Sequence, residues 1–281
     1  MDLGRVITAM VTPFDEELQV DYKALENLIE HLLATGTDTL LVAGTTGESP
    51  TLELFKACKS IAGTRAKIMA GTGSNSTLHS IELSKKAEKI GVDSLLLVSP
   101  YYNKPTQEGL YQHFKSIADA VDIPVVPYNV PGRTAVTIEP ETLARLSQIK
   151  NVVAVKDAGG NLDKTSKTRA LAPELTVYSG DDSLTLPMLA LGAKGVISVA
   201  SHIVGSELQE MIKSFEKGDT KKAEQIHLKL FNIFKTLFVI TSPIPVKAAL
   251  NLIGVPVGGL RPPLGLADDN TTAALEKVLK D

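Results

Sequence analysis

The chain contains 281 residues, and its 29 basic and 32 acidic side chains give a formal net charge of −3 at pH 7. This balance gives no broad electrostatic reason to expect a nucleic acid or an anionic membrane surface as a partner. Hydrophobic residues at 43% and charged residues at 22% are typical of a folded globular protein and exclude disorder for most of the chain. The single cysteine, Cys58, excludes an internal disulfide and a cysteine-based zinc site, which favours a reducing cytoplasm.

No stretch of the sequence indicates a secretion signal or a membrane segment. The first residues, MDLGRVITAM, carry Asp2 and Arg5 and lack a long apolar core. The most apolar stretch, residues 236–260, contains several prolines and Lys247, which predicts buried helices rather than a membrane span. We therefore expect a cytoplasmic protein that does not cross a membrane.

Eight short apolar runs bounded by turn residues predict eight β-strands. They recur at intervals of roughly 20 to 32 residues, the length of one strand, one helix and two loops. Several runs lack polar alternation, as strands of a parallel sheet covered on both faces require. In chain order the runs are RVITAMV, DTLLVAG, KIMAGTG, DSLLLVSP, IPVVPYN, VVAVKD, LTVYSG and KGVISVA.

Helical periodicity fills the segments between these strands. Between the first two runs, for example, leucine and isoleucine recur at helical spacing until Gly36. The first strand runs into Thr12-Pro13-Phe14 and not into the glycine-rich phosphate loop that is typical of a doubly wound sheet. Eight strand–helix units therefore predict an α/β fold of the (β/α)8 TIM-barrel type.

A helical extension follows the predicted barrel. We assign residues 1–218 to the barrel and residues 219–281 to a C-terminal helical region packed on it. Within this region, helices are expected at residues 220–240, 245–252 and 271–280. No low-complexity linker separates the two parts, so we expect no independently folding second domain.

Lys156 is the first candidate catalytic residue. Reactive groups of such barrels stand at the carboxyl ends of the strands, and Lys156 is the lysine that closes an apolar run at that end. Burial there lowers the pKa of the ammonium group and frees a neutral amine, which is a nucleophile towards carbonyl groups. The pattern therefore favours Schiff-base chemistry; the alternative is a lysine whose amine reaches water at the rim or pairs with Asp157.

Two loops add candidate binding groups. The segment GTTGESP at residues 44–50 precedes a predicted helix, with Ser49 as its N-cap and Pro50 at its first position. Amides and threonine hydroxyls of this loop can hold a carboxylate; the alternative is a capped turn that binds nothing. After the fifth strand, Tyr128 can relay protons and Arg133 can bind a carboxylate, unless they are simply a buried tyrosine and a surface arginine.

The remaining signals concern aromatic and histidine side chains. Tyr101 and Tyr102 follow the fourth strand and indicate either the rim of an active site or an oligomer contact. The five histidines show no metal-ligand spacing, and no carboxylate cluster lies near them in the sequence. We therefore expect neither a metal nor an organic cofactor.

Several separated motifs together resemble the dihydrodipicolinate synthase family, and the resemblance runs nearly end to end. The motifs occur in the family's order, each on the expected barrel loop. This family comprises pyruvate-dependent class I aldolases, so the resemblance implies a lyase with a (β/α)8 barrel and a C-terminal helical region. The motifs are GTTGES at 44–49, SPYYNKPTQEGLYQHF at 99–114, YNVPGRT at 128–134, VVAVKDAGG at 152–160 and SGDD at 179–182.

The resemblance implies roles for five candidate residues. Lys156 would form an imine with pyruvate, while Thr45 and Thr46 would hold the pyruvate carboxylate. Tyr128 would transfer protons, and Thr45 would link it to Tyr102, which in this family reaches into the active site of the neighbouring subunit. The family also implies a homotetramer built from tight dimers.

The implied second substrate is aspartate semialdehyde. Arg133 would anchor its carboxylate, and Gly180 and Ile197 match positions that line the pyruvate pocket. The implied reaction is an aldol condensation followed by cyclisation to 4-hydroxy-tetrahydrodipicolinate, the first committed step towards diaminopimelate and lysine.

Two other functions compete with this interpretation. A sister aldolase acting on sialic acid or a 2-keto-3-deoxy sugar acid would share Lys156 and Tyr128, but Arg133 and the pair of Thr45 and Thr46 argue against it. The second alternative is a non-catalytic barrel that senses a keto acid. The complete set of lysine, tyrosine and threonines argues against this sensor.

The sequence departs from the lysine-inhibited members of the family. Those members carry polar and acidic residues beside a subunit contact, and ungapped matching places Leu54, Ala57 and His79 at three of these positions. A cationic lysine would lose its acidic partner there, so we expect weak or absent inhibition. At three other positions the chain retains the residues of the lysine-inhibited members, namely Ser49, Asn75 and Tyr101.

Overall fold

The computed structural model describes residues 2–48 and 52–280. In this part of the chain eight parallel strands pair in sequence order, and the last pairs with the first to close a barrel. The predicted (β/α)8 barrel is confirmed, and each predicted strand is present. The strands are β1 (Val6–Ala9), β2 (Thr39–Val42), β3 (Lys67–Gly71), β4 (Ser94–Val98), β5 (Val125–Asn129), β6 (Ala154–Asp157), β7 (Thr176–Ser179) and β8 (Gly195–Ser198).

Helices connect consecutive strands and cover the outside of the barrel. Polar side chains begin several of them, since Asp21, Thr106 and Asn161 accept hydrogen bonds from backbone N–H groups of the first turn. Ser49 and Pro50, which were expected to begin the helix after β2, lie outside the described residues. The helices are α1 (Tyr22–Ala34), α2 (Leu52–Ala62), α3 (Thr77–Ile90), α4 (Gln107–Ala118), α5 (Pro131–Thr134), α6 (Pro140–Leu146), α7 (Leu162–Leu171), α8 (Thr185–Ala190), α9 (Ser201–Glu216), α10 (Thr220–Thr236), α11 (Ile244–Leu252) and α12 (Asp269–Val278).

The sequence does not predict three short elements at the carboxyl ends of strands. Helix α5 forms directly after β5, where Pro131 stands at its first position. Single 3₁₀ turns follow β2 at Thr45–Gly47 and β7 at Asp182–Leu184. All three are too short to show helical periodicity, although they shape the end of the barrel that carries the candidate residues.

Apolar side chains of the strands fill two layers. Ile7 and Met69 belong to a buried cluster inside the barrel, whereas Val6 and Ile68 pack in the layer between strands and helices. Ala154 belongs to the inner cluster, and side chains two residues apart on a strand share a face. The side chain of Lys156 therefore points into the barrel.

The C-terminal helices pack on one side of the barrel. Helix α10 contacts α8 and α9, and α12 contacts α10 and α11. The backbone N–H of Phe14, after β1, donates to the carbonyl oxygen of Val257 at 3.2 Å, which joins this region to the carboxyl end of the barrel. The proposed boundary between residues 218 and 219 falls in the turn between α9 and α10 and stays a prediction.

Candidate active site

Lys156 lies near the end of β6, with only 6% of its surface exposed. The loss of water around its ammonium group lowers the pKa of Lys156 to about 7. The carboxylate of Asp182 opposes this shift, and the guanidinium of Arg133 adds to it. A large fraction of Lys156 is therefore an uncharged amine at neutral pH, and this is the form that attacks carbonyl groups.

Residues near the ends of the neighbouring strands surround the side chain of Lys156. Its Nζ lies 4.3 Å from the centroid of the Tyr128 ring, and the two residues are register partners on β5 and β6. A Cβ added at Gly180, after β7, would lie 3.1 Å from Cε of Lys156 and 2.8 Å from Cβ of Ala158. Ile197 on β8 belongs to the same buried cluster inside the barrel as Tyr128. The structure thus brings Tyr128 and Gly180 to Lys156 and places Ile197 in the barrel interior.

A buried carboxylate, Asp182, lies at the same end of the barrel. Its Oδ1 accepts a hydrogen bond from Oγ of Ser198 at 2.5 Å, and its Oδ2 accepts from the backbone N–H groups of Val199 and Ala200 at 3.2 and 3.0 Å. Burial raises the pKa of Asp182, whereas these hydrogen bonds lower it. The carboxylate therefore joins the turn after β7 to the end of β8, and its negative charge favours the protonated form of Lys156.

Thr45 and Thr46 lie in the tight turn after β2. The backbone N–H of Glu48 donates to the carbonyl oxygen of Thr45 at 3.2 Å. Oγ1 of Thr12, after β1, donates to the carbonyl oxygen of Gly47 at 2.7 Å. Thr46 is buried and Thr45 is exposed. The hydrogen bonds fix this turn to the neighbouring strand and hold both threonines at the carboxyl end of the barrel.

Tyr128 and Arg133 lie on β5 and on the helix α5 that follows it. Burial raises the pKa of the Tyr128 phenol to about 12, although the charge of Arg133 lowers it. Arg133 is exposed, and its Nη2 donates to the carbonyl oxygen of Ser242 at 3.5 Å. The phenol is therefore protonated at neutral pH, and the guanidinium is held near the C-terminal region.

A cavity of about 460 Å³ lies at this end of the barrel, a size typical of small-molecule sites. Thr45, Tyr128 and Arg133 contribute to its wall. Lys156 borders the cavity through its contact with the Tyr128 ring and is not itself part of the wall. The predicted residues Thr46, Gly180 and Ile197 are likewise not part of the wall.

Tyr102 lies outside the cavity of its own chain. It is 91% exposed, and its φ of 74° is in the left-handed region that tyrosine rarely adopts. Its neighbour Tyr101 contributes to the cavity wall. The structure therefore does not join Tyr102 to Thr45 and Tyr128 within one chain.

Sequence reasoning missed a buried ion pair beside the cavity. Nζ of Lys247, on α11, lies 2.9 Å from Oε1 of Glu48, and the backbone N–H of Arg261 donates to Oε2 of Glu48 at 2.8 Å. Glu48 and Arg261 contribute to the cavity wall. A signal was present in the sequence, because a lysine inside a stretch predicted to be buried requires a partner for its charge.

Three further observations concern metal binding, membrane crossing and the cysteine. In residues 2–48 and 52–280, no group of three or more His, Cys, Asp or Glu side chains could hold a metal ion. Over the same ranges, no helix has both the length and the apolar composition that crossing a membrane requires. Cys58 is buried, and burial raises the pKa of its thiol to about 12, so its reactive thiolate is scarce at neutral pH.

The chain is similar to known proteins along its whole length. Residues 2–281 match the profile of the Dihydrodipicolinate synthetase family. The chain belongs to this family. A 4-hydroxy-tetrahydrodipicolinate synthase from Heliobacterium modesticaldum is 53% identical over 287 residues, which cover 100% of this chain and 96% of that protein. One from Dehalococcoides mccartyi is 55% identical over 286 residues, which cover 99% and 96%.

A solved structure of the family has the same architecture. The crystal structure of a dihydrodipicolinate synthase from Bacillus anthracis aligns with a TM-score of 0.97 at 47% sequence identity, covering 100% of this chain and 99% of that one. The resemblance carried by the sequence motifs is therefore confirmed along the whole length of this family member.

The amine of Lys156 should titrate near pH 7, because burial disfavours its charged form. Arg133→Gln should raise this pKa by removing a nearby positive charge, and Asp182→Asn should lower it by removing a negative one. The pH dependence of reductive methylation at Lys156, quantified by peptide mass spectrometry, measures the pKa in each protein. A wild-type pKa at the ordinary lysine value, or no change in either variant, would contradict this electrostatic account.

Proposed function

We propose that this chain is a 4-hydroxy-tetrahydrodipicolinate synthase, a lyase of the class I aldolase type that condenses pyruvate with L-aspartate 4-semialdehyde. The observation that carries the proposal is the buried amine of Lys156, whose pKa is about 7. An uncharged amine at the mouth of a barrel can form an imine with a keto acid. The family and the relatives at 53% and 55% identity support the choice of substrates. The product belongs to the route towards diaminopimelate and lysine.

Lys156 starts the reaction as the nucleophile. Its neutral Nζ adds to the keto carbon of pyruvate, and loss of water from the carbinolamine leaves an iminium. Removal of a methyl proton gives an enamine, whose carbon attacks the aldehyde carbon of the semialdehyde. The aldehyde oxygen takes up a proton and becomes a hydroxyl group. The amine of the semialdehyde then adds to the iminium carbon and displaces Lys156, which closes the ring and regenerates the enzyme.

Tyr128 transfers protons in these steps. Its ring contacts Nζ of Lys156, so the phenol lies close to the bond-forming atoms. With a pKa of about 12 the phenol is a poor acid by itself, and it needs a hydrogen-bonded partner that takes or returns the proton. Thr45 provides the link to that partner, which is the phenol of Tyr102 from a neighbouring subunit.

The two substrate carboxylates use different groups. Thr45 and Thr46 hold the carboxylate of pyruvate, because a tight turn can direct amides and hydroxyls towards one anion. Arg133 anchors the carboxylate of the semialdehyde, since a guanidinium can donate two parallel hydrogen bonds. Gly180 leaves space for Lys156, and Ile197 supplies apolar surface beside pyruvate. The reaction needs no cofactor, because the lysine itself forms the electrophilic iminium.

We further propose that the enzyme works in the cytoplasm as a homotetramer built from tight dimers. Tyr102 supports this assembly, because a 91% exposed tyrosine in a left-handed backbone conformation is costly unless another molecule uses it. The single buried thiol of Cys58 suits a reducing compartment.

Chemical trapping tests the proposed function. Borohydride reduces an imine to a stable amine, so treatment with pyruvate should leave a reduced pyruvate adduct on Lys156. Lys156→Arg should abolish both adduct and turnover, whereas Lys150→Arg, at an exposed position before β6, should keep both. A folded wild-type chain that forms no adduct on Lys156 would contradict the proposal.

Turnover measurements then identify the second substrate. The rate with aspartate semialdehyde should exceed the rates with sialic acid and 2-keto-3-deoxy sugar acids by roughly 100-fold or more, because Arg133 pairs with a carboxylate and not with a polyol. Faster turnover with a sugar acid would retain the imine chemistry but contradict the proposed substrate.

Lysine should inhibit this enzyme weakly or not at all. Leu54 is buried and apolar, and Leu54, Ala57 and His79 stand at positions where lysine-inhibited members carry polar and acidic residues. Without an acidic partner at these positions, the cationic amine of lysine gains little binding free energy. Initial rates at increasing lysine concentration measure the effect, and half-inhibition at sub-millimolar lysine would contradict this expectation.

A further inference from the structure

Glu48 and Lys247 form the most deeply buried ion pair in the part of the chain that the structure describes. Their side chains are 3% and 1% exposed, whereas every other ion pair there has both side chains at least 25% exposed. Nζ of Lys247 also donates to the carbonyl oxygen of Gly259 and lies 4.2 Å from the centroid of the Phe14 ring. Little water reaches either charge, so each depends on the other for its stabilisation.

The acidic residue of this pair belongs to the wall of the cavity that the proposed reaction uses, and its carboxylate is buried. Glu48 directly follows the turn of Thr45 and Thr46, and it contributes to the cavity wall together with Thr45 and Arg133. Its own backbone is left-handed, with a φ of 57°. A residue in the wall of a site that is proposed to bind two carboxylate substrates therefore carries a buried negative charge.

An unpaired carboxylate at this position would repel those substrates. Like charges interact several-fold more strongly in a poorly hydrated site than in bulk water. Lys247 cancels the charge of Glu48 at a distance of 2.9 Å. Arg261 is also near, and its Nε and Nη2 donate to the carbonyl oxygen of Leu18 at 3.0 and 2.8 Å, whereas Nζ of Lys247 makes the direct ion pair with Glu48.

We propose that Lys247 sets the affinity of this site for carboxylate substrates by neutralising Glu48 in the cavity wall. This inference rests on the proposed function, since it takes pyruvate as the anion. It extends the active site to helix α11 of the C-terminal helical region, to which the sequence assigned no part in the chemistry. Lys247 acts through Glu48 and is a specificity-determining residue, not a catalytic one.

A neutral analogue of pyruvate separates the effect of charge from an effect on structure. Pyruvamide keeps the ketone and has an uncharged amide in place of the carboxylate. Repulsion by Glu48 therefore weakens the binding of pyruvate but not that of pyruvamide. The measured quantity is the half-saturating concentration of each compound for borohydride trapping on Lys156. A merely structural defect would raise both concentrations by the same factor.

The test compares Lys247→Gln with the double variant Glu48→Gln/Lys247→Gln. Lys247→Gln should raise the half-saturating concentration of pyruvate by about tenfold or more, with that of pyruvamide changed less than about threefold. The double variant removes the unpaired charge, so its half-saturating concentration of pyruvate should lie within about threefold of the wild-type value. The matched control is Lys222→Gln, which breaks an exposed ion pair with Glu210. It should leave the half-saturating concentrations of both compounds unchanged.

Three results would overturn the proposal. In Lys247→Gln, the half-saturating concentrations of pyruvate and pyruvamide could rise equally, or neither could rise. A double variant that keeps the full defect for pyruvate would also overturn it. Should circular dichroism show that Lys247→Gln is unfolded, Lys247→Met, which has a similar volume, is assayed with the same two compounds and judged by the same results. A wild-type protein that traps neither compound contradicts the proposed function instead, so the two failures are distinguishable.

Discussion

The desolvation of one amine is the constraint on which the rest of this site depends. An ammonium group is not a nucleophile, and the role proposed for Lys156 requires the neutral amine that burial at the mouth of the barrel favours. The ring of Tyr128 covers the amine, and the missing side chain at Gly180 makes room for its aliphatic stem. Asp182 limits the shift, because its carboxylate favours the charged form. The pKa therefore remains close to neutrality, which suits a group that must be uncharged before imine formation and charged after it.

The C-terminal helical region completes the site that the barrel begins. The barrel supplies Lys156, Tyr128 and the turn of Thr45, each at the carboxyl end of a strand. Lys247 of the C-terminal region forms an ion pair with Glu48, and the carbonyl oxygen of Ser242 accepts a hydrogen bond from Arg133. Segment 261–264 adds part of the cavity wall. The region therefore forms part of the cavity wall and does not only cover the outside of the barrel.

The sequence was informative wherever a physical requirement is local. Strands covered on both faces must be apolar throughout, so all eight of the described strands were predicted, and a lysine closing such a strand, Lys156, was evident without the structure. The ion pair of Glu48 and Lys247 was not, because its partners lie far apart in the chain and meet only after the C-terminal helices dock. Helix α5 has four residues, far fewer than the window of roughly 11 to 18 residues over which helical periodicity is recognised. The relation of Tyr102 to Thr45 and Tyr128 was expected from the family resemblance alone, because no requirement within one chain brings these side chains together.

The central claim is that Lys156 binds pyruvate covalently while the turn after β2 holds its carboxylate. A crystal structure of the protein soaked with pyruvate tests both parts at once. The account predicts continuous density from Nζ of Lys156 to the keto carbon of pyruvate, with the carboxylate in hydrogen-bond contact with Thr45 and Thr46. Pyruvate found without a bond to Lys156, or with its carboxylate on Arg133 instead, would contradict the account.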